Sequence, residues 1–173
     1  AGEGARPLVS VMLANNETGV VQPVAAAAAI AHAAGGRLHV DAVQAAGRIP
    51  VDLAAIGADT LSLSGHKLGA PAGIGALVCA AGVEPVPLLT GGGQEMRRRA
   101  GTENLTGIAG FGAAARTARD GLADSPAVAR LRDWLESAII PIYTGTTVFG
   151  RAAPRLPNTA AFAVPGTLAE TIV

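Results

Sequence analysis

Short apolar segments with the length of β-strands alternate with helix-forming segments, and this alternation constrains the fold more than any other feature of the sequence. A strand that follows a helix in this order tends to pair in parallel with the preceding strand, and helices then cover both faces of the sheet. The sequence therefore predicts an α/β fold with a mainly parallel sheet. Strands are predicted at residues 7–14, 37–42, 60–64 and 73–80, and helices at the alanine-rich residues 24–34 and at 51–58.

A glycine-rich segment follows the last of these strands. Residues 90–104 read TGGGQEMRRRAGTEN, which is too long and too irregular for a simple connection, so we expect a functional loop or an interface. Beyond it, residues 105–122 favour a helix, and residues 127–139 favour an amphipathic helix with Trp134 and Leu135 in the core.

The sequence GLADSP predicts a domain boundary between the two last helices. We expect residues 1–121 to belong to a large domain and residues 122–173 to begin a second, smaller domain. Within the second part, residues 146–150 and 159–166 favour strands, and residues 167–173 favour the first turns of a helix.

The composition narrows the class of protein. Thirteen basic and thirteen acidic residues cancel, so bulk charge favours neither nucleic acid nor an anionic membrane. Cys79 is the one cysteine, which excludes an internal disulfide and fits a reducing compartment. No apolar run reaches the ~18 residues of a membrane-spanning helix. We expect a cytoplasmic protein that binds no nucleic acid, membrane or metal, in which His32 and His39 are structural.

Polar residues follow three of the predicted strands. Asn15 and Asn16 follow the first strand, Asp41 closes the second, and Lys67 comes shortly after the third. Because ligands bind outside the carboxyl ends of parallel strands, these residues should converge at one edge of the sheet. An acid and a lysine in one pocket could form a buried ion pair, a general acid and base, or a cofactor site.

The small polar groups near Lys67 favour a cofactor that carries an aldehyde and a phosphate. Such a cofactor needs an amine to bond the aldehyde, an acid to keep a pyridine nitrogen protonated, and donors for the phosphate. Lys67, Asp41, and Ser64 with His66 supply these groups, and Gln44 could reach a ring hydroxyl if the chain coils after Asp41. Neither a P-loop nor a complete dinucleotide-binding fingerprint is present.

Four segments then suggest a family. They are NNETGVVQP, HVDAVQAAGRIPVDL, DTLSLSGHKLGAPAGIGAL and GGGQEMRRRAGTEN, and they follow one another within residues 8–120. In order and spacing they resemble the cysteine desulfurases, pyridoxal 5'-phosphate enzymes of the class V aminotransferase group. The resemblance implies an aspartate aminotransferase-like large domain, followed by the start of a small α+β domain.

The resemblance also implies roles for the residues around the cofactor ring. Lys67 matches the catalytic lysine that bonds the cofactor and later moves the α proton of the substrate. Asp41 matches the carboxylate that pairs with the pyridinium nitrogen. Gln44 matches the donor to the ring hydroxyl, and Asn16 matches a second contact near that oxygen.

Three further matches concern the phosphate. Ser64 and His66 correspond to phosphate ligands of the cofactor. Thr102 corresponds to a threonine that reaches the phosphate bound by the partner subunit, which implies a homodimer with shared sites. A sulfur acceptor or an iron–sulfur scaffold protein is a further partner that the family implies.

The implied reaction converts L-cysteine to L-alanine and passes the sulfur to an enzyme cysteine as a persulfide, for iron–sulfur cluster assembly or another acceptor. Cys79 lies in an apolar strand, so we do not expect it to be that acceptor. Family members are much longer, and the loop with the acceptor cysteine has no counterpart here, so we expect part of a longer enzyme. The alternatives are a related lyase, such as one acting on selenocysteine, and a catalytically silent chain.

Overall fold

A four-stranded sheet forms the centre of the computed structural model, which describes residues 6–168 and 170. The strands lie in the order β1-β2-β3-β4, and a separate pair, β5-β6, lies later in the chain. Most of the predicted elements are confirmed; β3 has the predicted bounds, α4 is longer than predicted, and the others are shorter. In chain order the elements are β1 (Leu8–Met12), α1 (Val24–Ala33), β2 (Arg37–Asp41), α2 (Leu53–Ile56), β3 (Thr60–Ser64), β4 (Gly75–Cys79), α3 (Leu105–Asp120), α4 (Ser125–Ile142), β5 (Thr147–Val148) and β6 (Phe162–Ala163).

The predicted mainly parallel sheet is confirmed, and β4 is its exception. β1 pairs with β2 and β2 with β3 in parallel, whereas β3 and β4 are antiparallel. A parallel connection needs a crossover of roughly a dozen residues or more, usually a helix. The segment between β3 and β4 holds a 3-10 turn, Gly65–Lys67, and no α-helix, so the chain turns back along β3.

One face of the sheet carries the core. Val40 lies beside Leu61 in register, and together with Leu38 these side chains are almost fully buried. Val24 and Ala28 of α1 belong to the same apolar cluster, so α1 packs on this face. Because side chains of a strand alternate between faces, one apolar residue in two is enough to build this core.

The opposite face is polar. Ser10, His39 and Thr60 lie side by side across β1, β2 and β3, and His39 Nδ1 lies 2.9 Å from Thr60 Oγ1. Within residues 6–168, the helices packed on the sheet lie on the apolar side, so the predicted cover on both faces is not seen in this part of the chain. Leu8 and Leu77 also lie on this face and are 71% and 53% exposed, so it keeps apolar surface that the described helices leave uncovered.

The helix boundaries follow from local chemistry. Asp52 begins α2 by accepting hydrogen bonds from the N–H groups of Ala54 and Ala55, and Gly57 ends it in the left-handed conformation, with φ of 75°. Asn104 begins α3 by accepting from the N–H of Gly107 at 3.0 Å. These caps fix where the chain leaves each strand or loop.

The prediction that Trp134 and Leu135 are core residues is wrong. Their exposed fractions are 68% and 40%, and the buried residue of α4 is instead Glu136 at 3%. The most buried position of α4 is therefore a charged one, which binds Arg155. The helix predicted at residues 167–173 falls largely outside the described residues. Within residues 6–168, no helix combines the length and the apolar character that crossing a bilayer requires.

Candidate functional site

The carboxyl ends of β1, β2 and β3 meet at one edge of the sheet. Asp41 is paired in register with Met12 on one side and with Ser62 on the other. Neighbouring strands are about 4.8 Å apart, so the end of β3 lies directly beside Asp41. Asp41 and Ser62 share the polar face because they are directly paired, and Ser64 shares it because it lies two positions after Ser62 in β3. The predicted convergence of Asp41 with the Ser64–Lys67 segment follows from this register.

Asp41 is half-buried and its carboxylate is partly engaged. Oδ1 accepts a hydrogen bond from the N–H of Val43 at 2.9 Å, while Oδ2 accepts none from the described residues. After Asp41 the chain coils, since the carbonyl of Ala42 accepts from the N–H groups of Ala45 and Ala46, each at 3.0 Å. This coil is the condition under which Gln44 was expected to lie near Asp41, and Gln44 is half-buried.

Lys67 closes the 3-10 turn that begins where β3 ends. It is exposed, and within the described residues its ammonium group forms no ion pair. The interpretation of Asp41 and Lys67 as a buried ion pair therefore finds no support. Lys67 is also the one lysine in the sequence, so the chain has a single side-chain amine.

The turn that carries Lys67 requires glycine at position 65. The N–H of Gly65 donates to the carbonyl of Ile74 at 2.8 Å, and its own carbonyl accepts from the N–H of Leu68 at 2.9 Å. A Cβ at this position would lie 2.7 Å from Ile74 Cγ2, closer than side chains pack. The turn is therefore folded tightly against the start of β4, which fixes where Lys67 leaves the sheet.

Ser64 and His66 face each other across this turn. Ser64 Oγ lies 2.9 Å from His66 Nδ1, and the His66 ring is exposed. A hydroxyl and an imidazole so close together can both contact the oxygens of one anion.

The two asparagines after β1 have different surroundings. Asn15 Oδ1 accepts from the N–H groups of Glu17 and Thr18 and from Thr18 Oγ1, at 2.8 to 3.0 Å, so Asn15 shapes the turn. Asn16 is exposed, and its side chain makes no hydrogen bond with the described residues. Asn16 is thus the one of the two that can contact a ligand.

Thr102 stands apart from this group. It is exposed in the loop before α3, and no hydrogen bond of the described residues joins it to the polar groups at the sheet edge. Its loop is held by Gln94 Oε1, which accepts from the N–H of Gly101 at 3.3 Å, and by Arg99, which donates to the Gly101 carbonyl at 2.8 Å.

Comparison with known proteins decides the family. The Aminotransferase class-V family model matches residues 4–173. The chain belongs to the class-V aminotransferase family. The chain is 51% identical over 154 residues to a cysteine desulfurase of Gluconacetobacter diazotrophicus, covering 88% of this chain and 38% of the relative. It is 47% identical over 154 residues to the cysteine desulfurase NifS of Azotobacter vinelandii, again covering 88% and 38%.

Solved structures agree with this assignment. A NifS-like protein from Rickettsia africae superposes with a TM-score of 0.87 at 35% identity, covering 95% of this chain and 46% of that one. A cysteine desulfurase from Thermococcus onnurineus superposes with a TM-score of 0.81 at 29% identity, covering 98% and 46%. The chain thus has the predicted fold of a pyridoxal-phosphate enzyme and spans less than half the length of these relatives.

The side chains at the sheet edge fit pyridoxal phosphate, the cofactor of class-V aminotransferases. The amine of Lys67 is accessible and unpaired in the described residues, so it can bond the aldehyde. Asp41 has a carboxylate oxygen to spare for the pyridinium nitrogen, and Ser64 and His66 form a donor pair for the phosphate. An apolar cavity of about 290 Å³ lies between β3 and α3, on the face of Leu61 and Leu63, and is not this site.

Sequence reasoning missed one residue of this chain that touches the site. Arg48 Nη2 donates to the carbonyl of Lys67 at 3.2 Å and so ties the coil that carries Gln44 to the turn that carries the lysine. The hydroxyl of Ser125, at the start of α4, donates in turn to the Arg48 carbonyl at 2.8 Å. Nineteen positions separate Arg48 from Lys67, and no spacing rule signals such a contact.

Proposed function

We propose that this chain is the cofactor-binding part of a cysteine desulfurase, which converts L-cysteine to L-alanine and passes the sulfur to an enzyme cysteine as a persulfide. The observation that carries the proposal is the edge of the sheet, where an unpaired lysine, a carboxylate and a Ser–His pair lie at the ends of two adjacent strands. The identity to cysteine desulfurases supports the choice of substrate.

Each residue has a role that its chemistry allows. With the cofactor bound, Lys67 would hold it through Nζ and would take the proton from the α carbon of the amino acid. Asp41 keeps a proton on the pyridine nitrogen. When bound, pyridoxal phosphate supplies the electron sink for the electrons left on that α carbon.

The remaining contacts orient the cofactor. Ser64 and His66 donate to its phosphate, while Gln44 and Asn16 contact the ring oxygen. Arg48 holds the backbone at Lys67, so the amine keeps its position when the covalent bond is exchanged. Cys79 is half-buried in β4 and is not the proposed sulfur acceptor.

Absorbance with added pyridoxal phosphate tests the proposal. The protein in its full reading frame should develop the visible band of a lysine-bound cofactor, and Lys67→Ala should lose it. Arg116→Ala, which removes an exposed cation of α3, is the matched control and should keep the band. No band in the parent protein would contradict the proposal.

Borohydride reduction sharpens this test because it fixes the cofactor on the amine that holds it, and Lys67 is the one lysine among these 173 residues. The reduced cofactor should be found by mass spectrometry on the peptide that contains Lys67. Labelling confined to any other amine would contradict the assignment of Lys67. Release of alanine from L-cysteine by the parent protein, with L-selenocysteine as the parallel substrate, then separates a desulfurase from a related lyase.

We further propose a homodimer in which Thr102 reaches the partner's cofactor phosphate. Large exposed apolar side chains precede the Thr102 loop, as expected of an interface: Val86, Leu88, Leu89 and Met96, each at least 60% exposed. Mixing Lys67→Ala with Thr102→Ala subunits should restore activity, because one site of the mixed dimer has both residues intact. No gain on mixing would contradict a shared site.

Other parts of the proposal rest on the sequence. A division into domains at residues 121 and 122 coincides with the 3-10 segment between α3 and α4, and limited proteolysis there would test it. A cytoplasmic location rests on the low cysteine content of these 173 residues. A sulfur-accepting or iron–sulfur scaffold partner is proposed from the NifS relatives.

A further inference from the structure

The segment around Arg155 pairs with the loop that carries Asn16. The N–H of Val21 donates to the carbonyl of Pro154, and the N–H of Leu156 donates to the carbonyl of Gly19, both at 2.8 Å. Val20 and Arg155 face each other in the resulting antiparallel bridge. A stretch far along the chain thus forms a strand beside the loop that follows β1.

The same loop pairs on its other side with the end of β1. The N–H of Asn15 donates to the carbonyl of Val20 at 3.0 Å, and the N–H of Gln22 donates to the carbonyl of Leu13 at 2.8 Å. Three short extended segments therefore lie side by side, and Asn16 lies in the turn between the first two. The position of Asn16 depends on how this ladder is held.

The turn itself has little freedom to move. Gly19 adopts φ of 71°, and a Cβ there would lie 2.7 Å from Thr159 Cβ. Leu156, 1% exposed, belongs to the same apolar cluster as Leu13. The ladder therefore packs against the apolar core through Leu156, and against Thr159, which follows Arg155 in the chain, through Gly19.

Helix α4 holds the outer strand of the ladder through charged groups. Arg155 Nη1 donates to Glu136 Oε1 at 2.6 Å and Nη2 donates to Oε2 at 2.9 Å, and the two side chains are 4% and 3% exposed. Arg132 Nη1 donates to the carbonyl of Leu156 at 2.7 Å. Three charge-assisted hydrogen bonds thus fix α4 to residues 155 and 156.

Stability alone does not account for this arrangement. Desolvation offsets most of the attraction in a buried ion pair, and apolar residues of similar size often replace one at no cost. In some proteins the hydrogen-bonding geometry of such a pair fixes one position of the groups that carry it. Here those groups are α4 and the strand beside the Asn16 loop.

We propose that Glu136 and Arg155 are positioning residues that set the Asn16 loop against the ring of the bound cofactor. The proposal rests on the proposed function, since Asn16 is the residue through which they act. It assigns to α4, in the second part of the chain, an effect on cofactor binding in the first.

The test compares Glu136→Gln with Glu84→Gln in the protein in its full reading frame. Glu84 also accepts hydrogen bonds from an arginine through both carboxylate oxygens, from Nε and Nη2 of Arg98, but it is exposed, which makes it the matched control. Glu136→Gln should weaken pyridoxal phosphate binding about tenfold, which corresponds to the loss of the one hydrogen bond between Asn16 and the cofactor. It should also shift the visible band. Glu84→Gln should change neither. Parent-like binding and spectrum in Glu136→Gln would overturn the proposal.

A second pair of variants shows whether the effect passes through Asn16. In an Asn16→Ala background, Glu136→Gln should change the affinity less than about twofold, because the contact that it positions is already absent. An undiminished tenfold effect in that background would overturn the proposal. If the proposed function is wrong, Lys67→Ala and Asn16→Ala will leave cofactor binding unchanged. If only the positioning role is wrong, these two variants will still weaken cofactor binding.

A double variant guards against loss of folding. Glu136→Met with Arg155→Met replaces the pair by apolar groups and should keep the urea unfolding midpoint of the parent. It should still show the weakened binding and the shifted band. A double variant that binds the cofactor like the parent would show that the pair has no positioning role.

Discussion

Two arginine–glutamate pairs in this protein are each joined by more than one hydrogen bond, but their surroundings are opposite. Arg155 binds Glu136 through two hydrogen bonds of 2.6 and 2.9 Å, with side chains that are 4% and 3% exposed. Arg98 binds Glu84 through bonds of 2.8 to 3.1 Å, with side chains that are 39% and 72% exposed. Water screens the second pair and is excluded from the first. Similar contacts can therefore contribute very different amounts to the free energy of unfolding.

The two pairs also connect different parts of the molecule. Glu136 and Arg155 connect α4 to the ladder beside the candidate site. Glu84 and Arg98 close a single loop, and the hydrogen bonds from Arg98 lower the pKa of Glu84. We expect that breaking the first pair lowers the stability of the whole protein, and that breaking the second affects only its own loop.

The largest effect should come from breaking the buried pair. Glu136→Gln leaves Arg155 charged without a full partner in a dry site, and should lower the free energy of unfolding by about 3 to 5 kcal/mol. Urea unfolding followed by circular dichroism measures this. If Glu136→Gln lowered the free energy of unfolding as little as Glu84→Gln does, burial would not make the two pairs differ in their contribution to stability.

An intermediate effect is expected at Asp59, whose exposure lies between those of the two pairs. Its side chain is 19% exposed, and Oδ2 accepts from His32 Nε2 and from the N–H of Leu38, both at 2.8 Å. Asp59→Asn weakens these charge-assisted bonds and should cost about 1.5 to 3 kcal/mol in urea unfolding. Asp52→Asn, which alters the exposed cap of α2, should cost less.

The stabilisation from Asp59 should depend on pH. Burial raises the pKa of Asp59, but the hydrogen bonds from His32 and Leu38 outweigh it and lower the pKa below the ordinary 3.8. A carboxyl whose folded pKa is lowered stabilises the protein above its unfolded pKa and loses that effect as pH falls through the folded pKa. Asp59→Asn should therefore flatten the loss of stability measured below about pH 4, and an unchanged acid slope would contradict this.

A smaller effect, of opposite sign, is expected inside the loop that the exposed pair closes. Glu95, Met96 and Arg97 have φ of 49°, 53° and 66°, a left-handed conformation that disfavours side chains. Arg97→Gly should raise the free energy of unfolding by about 1 kcal/mol or less. Arg97→Ala removes the guanidinium but keeps a Cβ, and should give no gain. An equal gain in both variants would mean that charge, not backbone strain, is relieved.

The smallest effect should come from Glu84→Gln. Its pair is exposed, so we expect no measurable change in the urea midpoint at moderate salt, and only a slight decrease at low salt. A clear loss at high salt would contradict the comparison with the buried pair.

Much of the fold could be read from the sequence because its signals are local. The apolar runs of β1, β2 and β3 and the alanine-rich α1 need only their own residues to be recognised. The direction of β4 was not predicted, since it depends on how the chain leaves the Gly65–Lys67 turn. The exposure of Trp134 was predicted wrongly, because an amphipathic pattern does not tell which side of a helix finds a partner.

The candidate site divides in the same way. Asp41 and Lys67 could be named because strand ends in a parallel sheet share one edge, and the family motifs placed the same residues. Arg48, Glu136 and Arg155 were not found, because each acts through a residue 19 positions away in the chain. Charged residues of this kind look like ordinary surface groups in the sequence.

The sequence by itself determined the family, the order of most strands and helices, and the residues at the ends of β2 and β3. Short-range patterns suffice for these, since strand and helix periodicity and motif spacing are written in consecutive residues. Only the tertiary structure decided that the Asn16 loop lies beside residues 154–156, and that one of two similar ion pairs is buried. Burial depends on which distant segments fold over a group, and that is a property of the packed chain rather than of any stretch of it.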